Sequence, residues 1–191
     1  NESIQSVTFN VSNDNNSLFS GQPAISSTGT LTFTPAADKN GSATVTVSIS
    51  DDGLTANSGD DTSPNQTFTI TVTAVNDAPV IDAISDPSAI LEDASSQTIN
   101  LAGIGDGDTE ATATQTIAVT ATSNNTNIIP NPTVTYTPSA ATGSLAYTPV
   151  GDANGSAVIT VTVTDNGGTA NSGVNSTTRT FTVAVTAVND T

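Results

Sequence analysis

The dipeptide Asn-Asp closes two runs of alternating Val and Thr, and it brings side-chain oxygens to the end of each run. The sequence VTAVNDAPV occupies residues 72–80, and its first six residues return at 185–190. Oxygens of Asn and Asp side chains, together with backbone carbonyls, are the hard ligands that calcium prefers. The motif therefore predicts a cation site where each run ends.

The composition of the chain disfavours most other chemistry. Among 191 residues there are 18 acidic and two basic side chains, and the net charge of −16 would repel nucleic acid and anionic membrane surfaces. We therefore expect neither a nucleic-acid partner nor direct insertion into a membrane. The sequence has no His and no Cys, which removes the usual general base, the thiolate nucleophile and the softer ligands of zinc or copper. We expect a protein that is not an enzyme.

Two copies of one pattern make up most of the chain. Three segments of the first copy match three of the second: 4–12 with 114–122, 29–53 with 143–167, and 67–77 with 180–190. Nothing in the first copy matches residues 79–110. We therefore expect the first repeat to be truncated at its N-terminal side, to lack its first two strands, and to expose an apolar face and an open edge.

Within each copy the apolar residues have the period of a strand. Val45, Val47 and Ile49 alternate with Thr and Ser, as do Phe68 and Ile70, which is typical of strands with one buried face. No stretch has a convincing helical stripe, and clusters of Gly, Asn, Asp and Pro divide the strands. The sequence predicts an all-β protein of two tandem antiparallel β-sandwiches, repeat 1 over residues 1–77 and repeat 2 over 78–191.

The motifs resemble those of cadherin repeats, particularly the cadherin-like repeats of large bacterial surface adhesins. The family's linker Asp-x-Asn-Asp-Asn-Ala-Pro appears shortened at 74–79, its Asp-x-Asp at 106–108, and its Asp-x-Gly at 51–53 and 165–167. This resemblance covers nearly the whole chain. It implies Greek-key sandwiches of the immunoglobulin and cadherin type, and a location outside the cell, at its surface.

The resemblance also implies Ca2+ sites at the joints between repeats. It assigns six residues to one inter-repeat site: Asp38, Asn76, Asp77, Asp106, Asp108 and Asp165. It assigns five others to half-sites shared with neighbouring repeats: Asp51, Glu92, Asp152, Asn189 and Asp190. Ala74 and Ala78 stand where the family usually has Asp and Asn, so we expect fewer ions at the joint than in the full family pattern.

The functional prediction is a calcium-stiffened spacer in a large extracellular bacterial adhesin, which would serve cell-surface adhesion indirectly. Its partners would be neighbouring repeats of the same protein, and another chain could complete repeat 1 by strand addition. The alternative is a calcium-independent β-sandwich module of a secreted multidomain enzyme, either carbohydrate-binding or a linker. The absence of Trp disfavours stacking on sugar rings. Asn-Asp and Asp-Gly are also ordinary turn formers, so the same residues could serve the backbone alone.

Overall fold

The computed structural model describes residues 5–53, 55, 59–108 and 115–189. It divides into two compact units, unit 1 (Asn1–Ala74) and unit 2 (Val75–Thr191). The described residues form strands, loops and short 3-10 turns, which confirms the all-β prediction. In this described part, no helix has the length and apolar character needed to cross a membrane.

The described part of unit 1 contains five strands in two antiparallel sheets. The strands are β1 (Val7–Asn13), β2 (Phe19–Ile25), β3 (Leu31–Pro35), β4 (Gly41–Asp51) and β5 (Gln66–Val72). One sheet has the order β1-β4-β5, and β2 pairs with β3 in the other. The long strand β4 is therefore the centre of the larger sheet.

The described part of unit 2 contains seven strands, again in two sheets. They are β6 (Ile90–Leu91), β7 (Gln97–Leu101), β8 (Ala118–Ser123), β9 (Thr133–Tyr136), β10 (Gly143–Tyr147), β11 (Gly155–Thr164) and β12 (Ser176–Thr186). The sheet orders are β7-β10-β9 and β6-β12-β11-β8. Neighbouring strands are antiparallel, apart from β6, which runs parallel to β12.

The alternating sequence of unit 2 places one face of each sheet in a shared core. Ile159 and Val161 of β11 are fully buried, and Leu145 and Tyr147 of β10 reach the same cluster from the other sheet. Burial raises the pKa of the Tyr147 hydroxyl through desolvation. Two sheets that share one apolar interior are the arrangement of a β-sandwich. The finer assignment to Greek-key sandwiches in tandem stays a prediction.

The core of unit 1 is smaller. Among its described residues, the buried cluster contains Leu18, Phe19, Ala43, Val45 and Ile70. Phe68 of β5 lies on the face that the sequence predicts to be buried, yet 37% of its surface is exposed. In the described part of unit 1, no strand pairs with the outer edge of β5 or of β3.

The strand orders of the two units correspond. The order β1-β4-β5 of unit 1 corresponds to β8-β11-β12 of unit 2, and β2-β3 corresponds to β9-β10. In unit 2, β6 extends one sheet beside β12 and β7 extends the other beside β10. The described residues of unit 1 contain no counterpart of β6 or β7.

Candidate metal centre

Three chain segments of unit 2 carry the predicted oxygen ligands to one place. Asn76 and Asp77 lie in the extended segment that precedes β6, Asp106 and Asp108 follow β7, and Asp165 follows β11 directly. Polar side chains collect there because strand ends and loops leave the hydrogen-bonded ladder. Hydrogen bonds join Asn76 to Asp165 and Asp77 to Asp108, and they define the candidate site.

Asp165 is the most informative of these residues. It is 8% exposed, and its Oδ1 accepts hydrogen bonds from the Gly167 amide at 2.8 Å and from Asn76 Nδ2 at 3.0 Å. Its Oδ2 is buried and accepts no hydrogen bond from any described residue. A carboxylate oxygen buried without a partner is costly. The arrangement is therefore suited to a ligand that offers Oδ2 a positive charge or a donor.

Asn76 fastens the segment before β6 to the rest of unit 2. Its Nδ2 also donates to the Val174 carbonyl at 2.6 Å, and the Val174 amide donates to the Asn76 carbonyl at 3.0 Å. Its Oδ1 accepts from Gln115 Nε2 at 2.7 Å. The interpretation of Asn-Asp as an ordinary turn former does not account for these hydrogen bonds, because they join residues that are far apart in the sequence.

Gln115 belongs to the cluster, although sequence reasoning missed it. Its Nε2 contacts Asp108 Oδ2 as well as Asn76 Oδ1, while its Oε1 is buried and has no described partner. The orientation of a Gln amide is assigned from its hydrogen bonds. Rotating this amide would turn Oε1 towards the oxygens of Asn76 and Asp108, where it could join them around a cation. The signal in the sequence was Gln5, which stands at the matching position of the first copy.

Asp77, Asp106 and Asp108 complete the surroundings of the site. The Asp77 amide donates to Asp108 Oδ1 at 3.2 Å, and Asp106 lines a pocket together with Gln115. All three Asp residues are half-buried. Their carboxylates raise the negative potential around Asp165 and so favour a cation.

The electrostatics of unit 2 leave this cluster without a basic partner. Its one basic residue, Arg179, is exposed and donates to the Thr178 carbonyl. Among the described residues, no three acidic side chains lie close enough to hold a metal by themselves. The amides of Asn76 and Gln115 would therefore have to supply part of the ligand set, which suits calcium because it accepts amide and carboxylate oxygens alike.

Two glycines allow the chain segments of the candidate site to pack closely against one another. A Cβ at Gly167 would collide with Asn76 Oδ1, and a Cβ at Gly107 would collide with the Ala78 carbonyl. Gly107 also has a φ of 80°, a conformation that other residues rarely adopt. The site thus depends on glycine at the Asp-x-Asp and Asp-x-Gly motifs for close backbone packing.

Substituting Gly107 should test this packing. Gly107→Ala should lower the free energy of unfolding by about 2 kcal/mol, because the methyl group meets a carbonyl and the positive φ is strained. Gly151→Ala is the matched control, since a Cβ there meets nothing within 4 Å. Urea denaturation measures both variants, and equal stability of the two would contradict the close approach.

The predicted residues Asp38 and Asp152 have a different environment. They occupy equivalent turns in the two repeats, with φ values of 53° and 60°, and both are exposed. Asp tolerates this left-handed conformation better than most residues. The backbone therefore gives both a role as turn residues. Asp38 belongs to unit 1, whereas the other five residues of the predicted inter-repeat site belong to unit 2.

The remaining predicted half-site residues lie apart from the cluster in sequence. Asp51 Oδ1 accepts from the Gly53 amide at 2.8 Å, as Asp165 does from Gly167, but Asp51 is only half-buried. Glu92 is buried, and its Oε1 accepts from the Val188 amide at 2.8 Å, which ties the residue after β6 to the residues after β12. Asn189 is exposed. Asp190 lies outside the described residues.

Comparisons with known proteins show only distant similarity. No family model matches the chain, and no curated protein matches it. The chain is similar to the surface layer protein SbsC, domains 1–6 (16% identity, 95% of this chain and 20% of that one, TM-score 0.36). It is also similar to the endo-fucoidan hydrolase MfFcnA4 of glycoside hydrolase family 107 (19% identity, 96% of this chain and 24% of that one, TM-score 0.36). For the human desmocollin-1 ectodomain the identity is 16%, the similarity covers 97% of this chain and 34% of that one, and the TM-score is 0.38.

The chain thus spans 20% of the SbsC structure and 34% of the desmocollin-1 structure. TM-scores of this size are too low to assign the chain to a family.

Proposed function

We propose that unit 2 binds calcium through the side-chain oxygens of Asn76, Asp108, Gln115 and Asp165. The observation that carries this proposal is the buried Oδ2 of Asp165, which has no partner in the described part of the chain. Asn76 contacts Asp165 through its Nδ2, Gln115 contacts Asn76 Oδ1 and Asp108 through its Nε2, and Gln115 Oε1 is buried and unpartnered as well. A divalent cation would offset the charge of both carboxylates at once.

Calcium fits this ligand set better than other metals. It takes six to eight oxygen ligands in flexible geometry, whereas magnesium requires a near-ideal octahedron and keeps several waters. Zinc and copper prefer nitrogen or sulfur ligands, and the chain has neither His nor Cys. With two carboxylates and two amides, we expect a dissociation constant of about 10⁻⁴–10⁻³ M, the range of extracellular calcium modules.

The proposed role is that of a structural spacer in an extracellular surface protein. Calcium would hold the segment at 75–79 against the rest of unit 2 by linking Asn76 to Asp108 and Asp165. The hydrogen bonds of the Asn76 carbonyl and the Asp77 amide already fix the backbone there. A stiffened segment at the end of a repeat would let a row of such repeats carry an adhesive domain away from a cell.

Calorimetry of calcium binding tests the proposal. Calcium titrated into the whole chain should give a saturable signal, and Asp108→Asn should weaken binding at least about tenfold because a charged ligand is lost. Asp38→Asn is the control, since Asp38 is an exposed turn residue. If the unsubstituted chain shows no binding up to tens of millimolar calcium, the proposal is wrong.

Hydrogen exchange should report the stiffening itself. At about ten times the dissociation constant, calcium should slow exchange of the Asp77 and Val174 amides about tenfold, because opening the segment would require release of the ion. The Asn124 amide, which donates to the Val158 carbonyl at 3.0 Å, serves as the internal control. Equal rates for Asp77 with calcium and with chelator would show that the ion does not restrain the segment.

A further inference from the structure

The two polar atoms of the Gln115 side chain have opposite surroundings. Its Nε2 lies beside two oxygens, because it donates to Asn76 Oδ1 at 2.7 Å and also contacts Asp108 Oδ2. Its Oε1 lies against Gly167 and has no hydrogen-bond partner among the described residues. The amide therefore presents a donor to the oxygens of the candidate site and directs its own oxygen away from them.

This orientation suits a site without a cation. The Asp108 carboxylate is negative and Asn76 Oδ1 has a partial negative charge, so both attract the hydrogens on Nε2. The opposite orientation would place Oε1 against the same oxygens with no donor between them. A cation bound to these oxygens reverses the preference, because it attracts Oε1 and repels the hydrogens on Nε2. The favoured orientation of the Gln115 amide therefore depends on whether the site holds a cation.

The Gln115 amide has the freedom to turn. The terminal torsion of a Gln side chain is broad and roughly twofold, so a half-turn exchanges Oε1 and Nε2 at little torsional cost. A cavity of about 140 Å³ borders the side chain and leaves room for water during the turn. In unit 1 the matching residue, Gln5, directs Nε2 rather than Oε1 at the matching Gly53. The place beside this glycine therefore accepts either end of the amide.

We propose that Gln115 is a two-state switch that regulates the candidate site, an inference that rests on the proposed calcium binding. Without calcium, Nε2 holds Asp108 and Asn76 together and keeps the ligand set assembled. With calcium, the amide turns and Oε1 joins the ligands. The orientation that can bind calcium is the minor one in the free chain, which lowers the apparent calcium affinity. Gln115 thus keeps the site in order when it is empty and keeps binding weak enough to be reversible.

Hydrogen exchange in the presence of chelator tests the calcium-free state. The Asp77 amide donates to Asp108 Oδ1 at 3.2 Å, so its protection reports whether Asp108 is held in place. Gln115→Met keeps a side chain of similar length but cannot donate, and it should speed exchange of the Asp77 amide about tenfold. Gln97→Met is the matched control, since Gln97 Nε2 donates locally to the Ser95 carbonyl at 2.8 Å. Equal Asp77 exchange rates in the two variants would overturn the proposal.

Gln115→Glu separates a switch from a residue that only supports the fold. Glu offers oxygens alone, so it cannot hold Asp108 in chelator, yet it always presents a ligand to calcium. We expect faster exchange of the Asp77 amide in chelator together with a calcium dissociation constant about tenfold lower than that of the wild type. A residue that only supported the fold would weaken both properties. Gln97→Glu, which adds the same charge at the other end of β7 from Asp106, should leave the dissociation constant within about twofold.

The calorimetric outcomes distinguish the switch from the calcium site itself. If the wild type binds calcium and Gln115→Glu binds it equally or more weakly, the switch is wrong and the site stands. If neither chain binds calcium, the proposed site is wrong and the switch falls with it.

Discussion

Replacing Phe181 by Ala should lower the free energy of unfolding of unit 2 by about 3–5 kcal/mol. Phe181 lies in the centre of the larger sheet and is among the largest fully buried side chains. Its removal would leave a cavity between the two sheets, which the surrounding strands could fill only in part. Urea denaturation, monitored by a spectroscopic signal that reports the unfolding of unit 2, measures this loss of unfolding free energy.

The matched substitution in unit 1 should have a much smaller effect. Phe68→Ala should cost about 1 kcal/mol, because much of this ring already contacts water and its removal leaves no closed cavity. Phe181 and Phe68 stand in the same sequence context, TFT, so the comparison isolates the effect of cover. Equal losses for the two variants would contradict the difference in burial between the units.

Phe68 and Phe181 also show which feature of the fold could not be predicted from the sequence. The alternation of Val, Ile and Phe with Thr gave the strands, because a period of two has a direct meaning for a sheet with one buried face. The alternation does not reveal whether a second sheet covers that face. Cover depends on residues distant in the sequence, such as those of β7, and Phe68 and Phe181 therefore differ although their surroundings in sequence agree.

Only part of the candidate site, likewise, could be predicted from the sequence. Motif spacing identified Asn76, Asp108 and Asp165, whose side chains are joined by hydrogen bonds directly or through Gln115. It did not identify Gln115, because the contribution of a lone Gln depends on which segments approach it. Asp38 follows the family spacing, but its positive φ gives it a local role in a turn. Calcium itself stays a prediction.

Asp165→Asn separates a metal ligand from a turn former. The variant keeps an oxygen that can accept from the Gly167 amide and from Asn76, so the chain should fold without calcium as stably as the wild type or more so. It replaces the unpartnered Oδ2 by an amide nitrogen, which cannot bind a cation. We therefore expect calcium affinity to fall about a hundredfold, since a charged, buried ligand is lost.

The most direct test is the gain in the free energy of unfolding of unit 2 on adding calcium, compared between wild type and Asp165→Asn. At a hundred times the wild-type dissociation constant, wild type should gain about 2.7 kcal/mol and the variant only about 0.4 kcal/mol. Asp51→Asn, which alters the matching Asp of unit 1, should retain the full gain. Equal gains for wild type and Asp165→Asn, or no gain for wild type, would contradict the proposed calcium site.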